Sequence, residues 1–289
     1  MSKIGYTNEN TLICTISRMN PPTPGHLFLI RKLIEKANMH DIDHVYVILS
    51  KTNEDKKNPI TCWLKKQVLG EGDYDATIGV SKKMINSLKT KMIKETTNGK
   101  MTKEAKSKII DQIRKITVHL VCVPEGTKET PFDQIYPIIK KLKKTCDTGI
   151  NIIVVVGKDR EELMHSISQF YYKMDDVHSI DGHAFPRNET EEEESQVTIS
   201  KINEIKTEMS GTYIRELVQK KNVQKFKAVY EPYLDELNIA NLYAKIKEGM
   251  ESKPSPKKET KSKSTRKKAS PTPFPHVKGG AKTRKHNKR

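Results

Sequence analysis

Two short stretches of this 289-residue chain carry residues of the types and spacing that could hold an anion. The first is Thr23-Pro24-Gly25-His26, a histidine set behind a glycine at the start of an apolar-periodic segment. The second, far downstream, is Ser210-Gly211-Thr212, with Arg215 about one turn further on. Ser210 and Thr212 are natural cap residues, and a helix start leaves backbone N–H groups and a partial positive charge facing whatever precedes it. Glycine at such a start allows close approach, so a phosphate is the expected occupant. His26 and Arg215 add side-chain donors, and the chain shows no nucleophile triad or base dyad. The chemistry to expect is stabilisation of charge on phosphoryl oxygens, not attack by the protein itself. A lone Gly-His also reads as an ordinary βα turn, and the second start is what weighs against that.

The elements that must position these groups follow from hydrophobic period. Leu12, Ile13, Cys14 and Ile16 form a β-prone run. Pro21, Pro22 and Pro24 stiffen the loop, and Leu27, Ile30, Leu33 and Ile34 repeat at helical spacing. A second buried strand spans His44 to Leu49, followed by a polar loop with Lys51, Lys56 and Lys57. Pro59 and Thr61 open a helix with Trp63, Leu64, Val68 and Leu69, in which Trp63 is expected as a core anchor. Residues 71–115 are lysine-rich and helical in pattern, an inserted or extended helical pair, with a polynucleotide-facing surface as the alternative. Further strands are expected at Thr117 to Val123 and Ile150 to Val156, with a helix carrying Ile135, Ile138, Ile139 and Leu142 between them. Gly157 and Asp159 lie where ligands bind in parallel sheets. Residues 171–208 read as irregular apart from a short strand at 196–199, and Glu189 with Glu191 to Glu194 as a solvated acidic run. A helix after Ser210 and a second carrying Phe226, Tyr230, Leu234, Leu237 and Leu242 close the fold. The expectation is an α/β, Rossmann-like parallel sheet flanked by helices, with a C-terminal helical cap and a disordered basic tail. The domain is expected over residues 1–249 and the tail over 250–289.

At the motif residues the chain resembles a family. Thr23-Pro24-Gly25-His26 matches the (H/T)xGH signature of the nucleotidyltransferase superfamily that includes nicotinamide-nucleotide and pantetheine-phosphate adenylyltransferases and the cytidylyltransferases. Ser210 to Arg215 is similar to its (S/T)xxIR motif. Val154 to Arg160 resembles the strand ending in G-x-D-R, and Lys56-Lys57-Asn58-Pro59-Ile60 the KKNP segment of phage-encoded relatives. The resemblance covers roughly residues 11 to 230 outside the insertion and, with the ending KGGAKTRKHNKR, suggests a viral source.

The resemblance implies attack of an acceptor phosphate oxygen on the α-phosphate of an NTP, with ATP the expected substrate and pyrophosphate released. His26 would contact the α/β-phosphates with Thr23 beside it. Ser210, Gly211 and Thr212 would meet the β/γ-phosphates, and Arg215 would clamp them. Arg18, Asn20, Gly25, Lys57 and Gly157 join the nucleotide-binding set, and Asp159 meets ribose or acceptor. Mg²⁺ would arrive with the triphosphate, and no protein metal site is expected. The favoured acceptor is nicotinamide mononucleotide. A pantetheine phosphate, a cytidylyl transfer, or a degenerate nucleic-acid-binding module stay open. Thr23 stands where many nicotinamide-nucleotide members have histidine, and Lys158 where a small residue is common.

Composition excludes other classes. Four widely spaced cysteines without a CxxC suggest neither a zinc site nor a disulfide framework; Cys14 and Cys122 read as buried thiols suited to a reducing compartment. His165, His178 and His183 lack ligand spacing. No run approaches ~20 apolar residues, so no membrane contact is expected and the protein reads as soluble and cytoplasmic, in the host cytoplasm if viral. A homo-oligomer stays open. Of the net charge of +17, +12 falls within residues 251–289, a lysine-, serine- and proline-rich segment. It is expected to be disordered and to touch polyanions weakly.

Overall fold

Five parallel strands form one sheet in the order β3-β2-β1-β4-β5. The computed structural model describes residues 5–50, 58–70, 83–124, 127–172, 174–185 and 210–251. The elements are β1 (Thr11–Ser17), α1 (Pro24–His40), β2 (His44–Leu49), α2 (Cys62–Leu69), α3 (Met84–Asn98) and α4 (Lys103–Lys115). Then follow β3 (Thr117–Cys122), α5 (Ile135–Lys143), β4 (Ile150–Gly157), α6 (Glu161–Tyr171) and β5 (Val177–Phe185). Helices α7 (Gly211–Gln219), α8 (Val223–Tyr230) and α9 (Glu236–Glu251) complete the described residues. Lys57, the acidic run, the 196–199 segment and the tail beyond Glu251 lie outside them.

Period two along the strands divides the core. Ile13, Val45, Val47, Leu49, Ile153 and Val155 face one layer with α1 to α4 and α7 to α9. Leu12, Cys14, Ile16, Ile152, Val154 and Val156 face the other, against α5 and α6. Every residue of β1 is buried, as a central parallel strand requires. β1 has β2 on one side and β4 on the other, so the order reverses between β1 and β4, and the crevice beyond Ser17 and Gly157 is the switch point. The helical pair within 71–115 is present as α3 and α4, whose Met84, Ile85, Leu88, Met92 and Ile113 join the first core layer. No described helix is long and apolar enough to cross a membrane.

The structure corrects several expectations. Val177–Phe185, read as irregular, is strand β5. It lies at the sheet edge, pairs only with β4, and has no fully buried residue, so no apolar run marks it. Trp63 is 67% exposed and anchors nothing, because α2 buries Cys62, Lys65, Val68 and Leu69 and leaves Trp63 off that stripe. The last expected helix is two, α8 and α9, and Leu237 at the start of α9 is 72% exposed. Cys14 is a buried free thiol, but Cys122 is bonded to Cys62. Parallel pairing carries the end of β3 to the first turn of α2 and places the two Cα atoms 6.0 Å apart, a proximity invisible at a sequence separation of 60. That bond removes the thiol argument for a reducing compartment. For a loop of this length, chain entropy puts the loss on reduction at roughly 4 kcal/mol. Denaturant midpoints with and without dithiothreitol should differ accordingly, and Cys62→Ser should reproduce the reduced value.

Candidate phosphate site at two helix starts

The loop between β1 and α1 is built to present α1. Met19 is buried at a left-handed φ of 42°, and Asn20–Pro21 is a cis peptide. Thr23 is the extended N-cap of α1, fully buried, and Pro24 fills its first position, where no donor is lost. The N–H of Thr23 donates to Nδ1 of His26 at 3.0 Å, and the Thr23 hydroxyl lies 2.9 Å from the same nitrogen. A backbone N–H can only donate, so Nδ1 is the acceptor and the ring proton sits on Nε2. The half-buried imidazole is thus held in one tautomer with its N–H on the far side from the cap. Thr23 is the residue that orients His26.

Asn20 fastens this loop from below. Its side-chain amide donates to the Ile60 carbonyl at 3.0 Å and accepts from the Ile60 N–H at 3.1 Å, a paired contact with the segment Asn58-Pro59-Ile60. The same segment meets α9, where a methyl added at Gly249 would overlap the Pro59 carbonyl. Only glycine lets that helix pass.

The second helix start lies against the first. Ser210 caps α7, its Oγ accepting from the Tyr213 N–H at 3.1 Å, so the N–H groups of Gly211 and Thr212 are those the first turn leaves over. A methyl on Gly211 would stand 3.2 Å from the Asn20 carbonyl oxygen. Arg215 Nη1 donates to that oxygen at 2.7 Å, and Nη2 to the Thr212 hydroxyl at 3.0 Å. Tyr230, fully buried on α8, donates to the Pro22 carbonyl at 2.6 Å. Loop 20–23 and the start of α7 therefore form one wall, despite their distance in sequence.

Of the predicted site residues, Thr23, His26, Asn20, Gly211, Thr212 and Arg215 are brought together, with Ser210 as cap and Gly25 in the first turn of α1. Arg18 is exposed just beyond β1, and Gly157 ends β4 at the switch point. Lys57 and the side chain of Asp159 lie outside the described residues. Sequence reasoning missed Lys65, a fully buried lysine on α2 whose Nζ donates to the Ser50 carbonyl at 2.9 Å. The signal was there: Lys65 stands three residues after Cys62 and three before Val68, inside an apolar stripe. Tyr230 was read only as core, although its hydroxyl reaches the loop.

No family model, curated protein or solved structure matches the chain.

Proposed function

We propose that the chain is a nucleotidyltransferase that joins a nucleotidyl group, adenylyl foremost, to a small phosphorylated acceptor. The observation that carries the proposal is the contact of the two helix starts through Gly211, Arg215 and the Asn20 carbonyl. A phosphate chain set between them meets donors from both: Nε2–H of His26 on one side, and the Gly211 and Thr212 N–H groups with the Arg215 guanidinium on the other.

The reaction needs no base. An acceptor phosphate is ionised near neutral pH; its oxygen forms the new bond to the α-phosphorus as the bond from that phosphorus to the β-bridging oxygen breaks, and pyrophosphate leaves with the electron pair. Charge grows on the leaving oxygens, and fixed donors stabilise it without reorganising at the moment of reaction. Among the described residues the site presents N–H groups, hydroxyls and the Arg215 guanidinium, which suits phosphate oxygens. Mg²⁺ would therefore be held by the triphosphate and water, and would neutralise part of the phosphate charge.

The test is a pyrophosphate-release screen with ATP and CTP against a panel of phosphomonoesters, nicotinamide mononucleotide and phosphopantetheine among them. The expected result is release that depends on one acceptor. Absence of release with every pair, from protein of native thermal stability, would leave the site as a binding module.

A further inference from the structure

The exposed Phe, Tyr and Trp side chains are not spread evenly. Of the four among the described residues, Trp63 stands on α2, whereas Tyr136, Phe170 and Tyr172 fall on or beside α5 and α6. Phe132, four residues before Tyr136, lies 6.4 Å from the Phe170 ring, centroid to centroid. The Tyr171 hydroxyl donates to the Phe132 carbonyl, which ties the end of α6 to the start of α5. Lys140, one turn beyond Tyr136, stands over that ring at 5.2 Å and faces Asp176 at 3.9 Å. Phe170, Phe132, Tyr136 and Lys140 therefore follow one another across a single face.

Packing does not explain these rings. α5 buries Ile135, Ile138 and Ile139 against the sheet, and α6 buries Ile167 and Tyr171, so both helices already have an apolar side. Tyr136 is nonetheless 38%, Phe170 54% and Tyr172 79% exposed. α5 contains no carboxylate; its last turn carries Lys140, Lys141 and Lys143, and Lys144 follows. A helix C-terminus favours cations through its dipole alone, but the dipole gives no reason for the rings. Lys143 donates to the carbonyls of Asp147 and Thr148. Lys141 and Lys144 make no ion pair or side-chain hydrogen bond among the described residues. Wet aromatic rings beside uncommitted ammonium groups match a partner whose flat apolar faces are joined by anions.

We infer that the face of α5 and α6 binds single-stranded nucleic acid, with bases stacked on Tyr136, Phe170 and Tyr172 and phosphates met by Lys141 and Lys144. A duplex keeps its base faces inside the stack, whereas an unpaired strand offers them to rings. A lipid surface calls for aliphatic side chains to insert, and no Leu, Ile, Val or Met of α5 or α6 is exposed. Charge complementarity points the same way, since the chain carries a net +17. α5 and α6 cover the other layer of the sheet from α1 and α7, so this face is separate from the two helix starts and does not rest on nucleotidyl transfer.

Fluorescence anisotropy of labelled oligo-dT and oligo-U, titrated with the full chain at several salt concentrations, reads the binding. Tyr136→Ala with Phe170→Ala should weaken it at every salt concentration, by roughly 5- to 150-fold for each ring that holds a base. Tyr136→Phe with Phe170→Tyr keeps both rings and should bind like the native chain. Lys141→Gln with Lys144→Gln should flatten the slope of log affinity against log salt by about 1.4, the share of two phosphate contacts on a single strand. The substituted side chains are exposed, so thermal midpoints should stay close to native. Tyr172→Ala, at the most exposed ring, repeats the test should the alanine pair prove unstable. Ring dependence with either oligonucleotide supports the inference, and the tighter one shows which sugar is preferred. Unchanged affinity in the alanine variants would leave the lysine-rich segment 251–289 as the contact and overturn it. An equal loss on a duplex of the same length would refute stacking. Ring-dependent capture of phosphatidylserine vesicles with no ring-dependent oligonucleotide binding, or a dimer that the alanine substitutions dissociate in sedimentation velocity, would give the face to a membrane or to a second copy, and either would overturn the inference.

Discussion

Arg215→Ala is expected to lower turnover roughly 10²–10³-fold, and His26→Ala by a similar factor, because each removes one preorganised donor from the charge that develops on the phosphoryl oxygens. Arg215→Lys should rescue little. The guanidinium spans the Thr212 hydroxyl and the Asn20 carbonyl with two nitrogens, and an ammonium offers a single point of charge. The structural cost should be much smaller. His26→Ala leaves the Thr23 N–H without its ring acceptor, a capping loss of about 1 kcal/mol. Turnover and thermal midpoint measured on the same preparations separate the two effects. Near-native turnover in both folded variants would remove these residues from the chemistry.

The largest effect on stability is expected at Tyr230. Its ring packs against Phe226 at a centroid distance of 4.9 Å within the core, and its hydroxyl holds the Pro22 carbonyl. Tyr230→Ala should cost about 3–5 kcal/mol, as other buried aromatic truncations do. Tyr230→Phe keeps the packing and leaves the Pro22 carbonyl unpaired, for about 1–3 kcal/mol. Burial raises the pKa of this hydroxyl, so the bond should persist across the neutral range. Urea denaturation of the two variants measures the difference. A phenylalanine variant as unstable as the alanine variant would mean that the hydrogen bond, and not the packing, joins α8 to the loop.

What could be read from the sequence follows physical lines. β1, β2 and β4 are largely buried strands and announce themselves as apolar runs, and β3, at one edge of the sheet, still carries a β-prone run over Thr117–Cys122; α1 and α7 carry proline, serine and glycine where a helix start needs them. The candidate site was legible because its parts are local motifs at such junctions. β5 was not: at the opposite edge from β3 it has no fully buried residue, and polar Ser179, Asp181 and His183 interrupt any apolar run. Trp63 and Leu237 misled because a large apolar side chain does not say which side of its helix faces the core. Cys62 with Cys122, and Lys65 with the Ser50 carbonyl, are products of topology: each pairs groups that only the closed sheet makes neighbours.

The bond from Arg215 to the Asn20 carbonyl also sets an order of events during synthesis. It joins residues 195 apart, and the Tyr230 contact with Pro22 joins residues 208 apart. All five strands leave the ribosome before either partner helix does, and domains assemble from the N-terminus as they are made. The nascent chain can therefore pair its sheet while the loop at residues 19–23 still lacks both C-terminal clasps. On the proposed reading, competence to hold a phosphate chain would arise late, when α7 and α8 dock. A chain cut short before Ser210 would carry the sheet and the histidine but only one of the two helix starts.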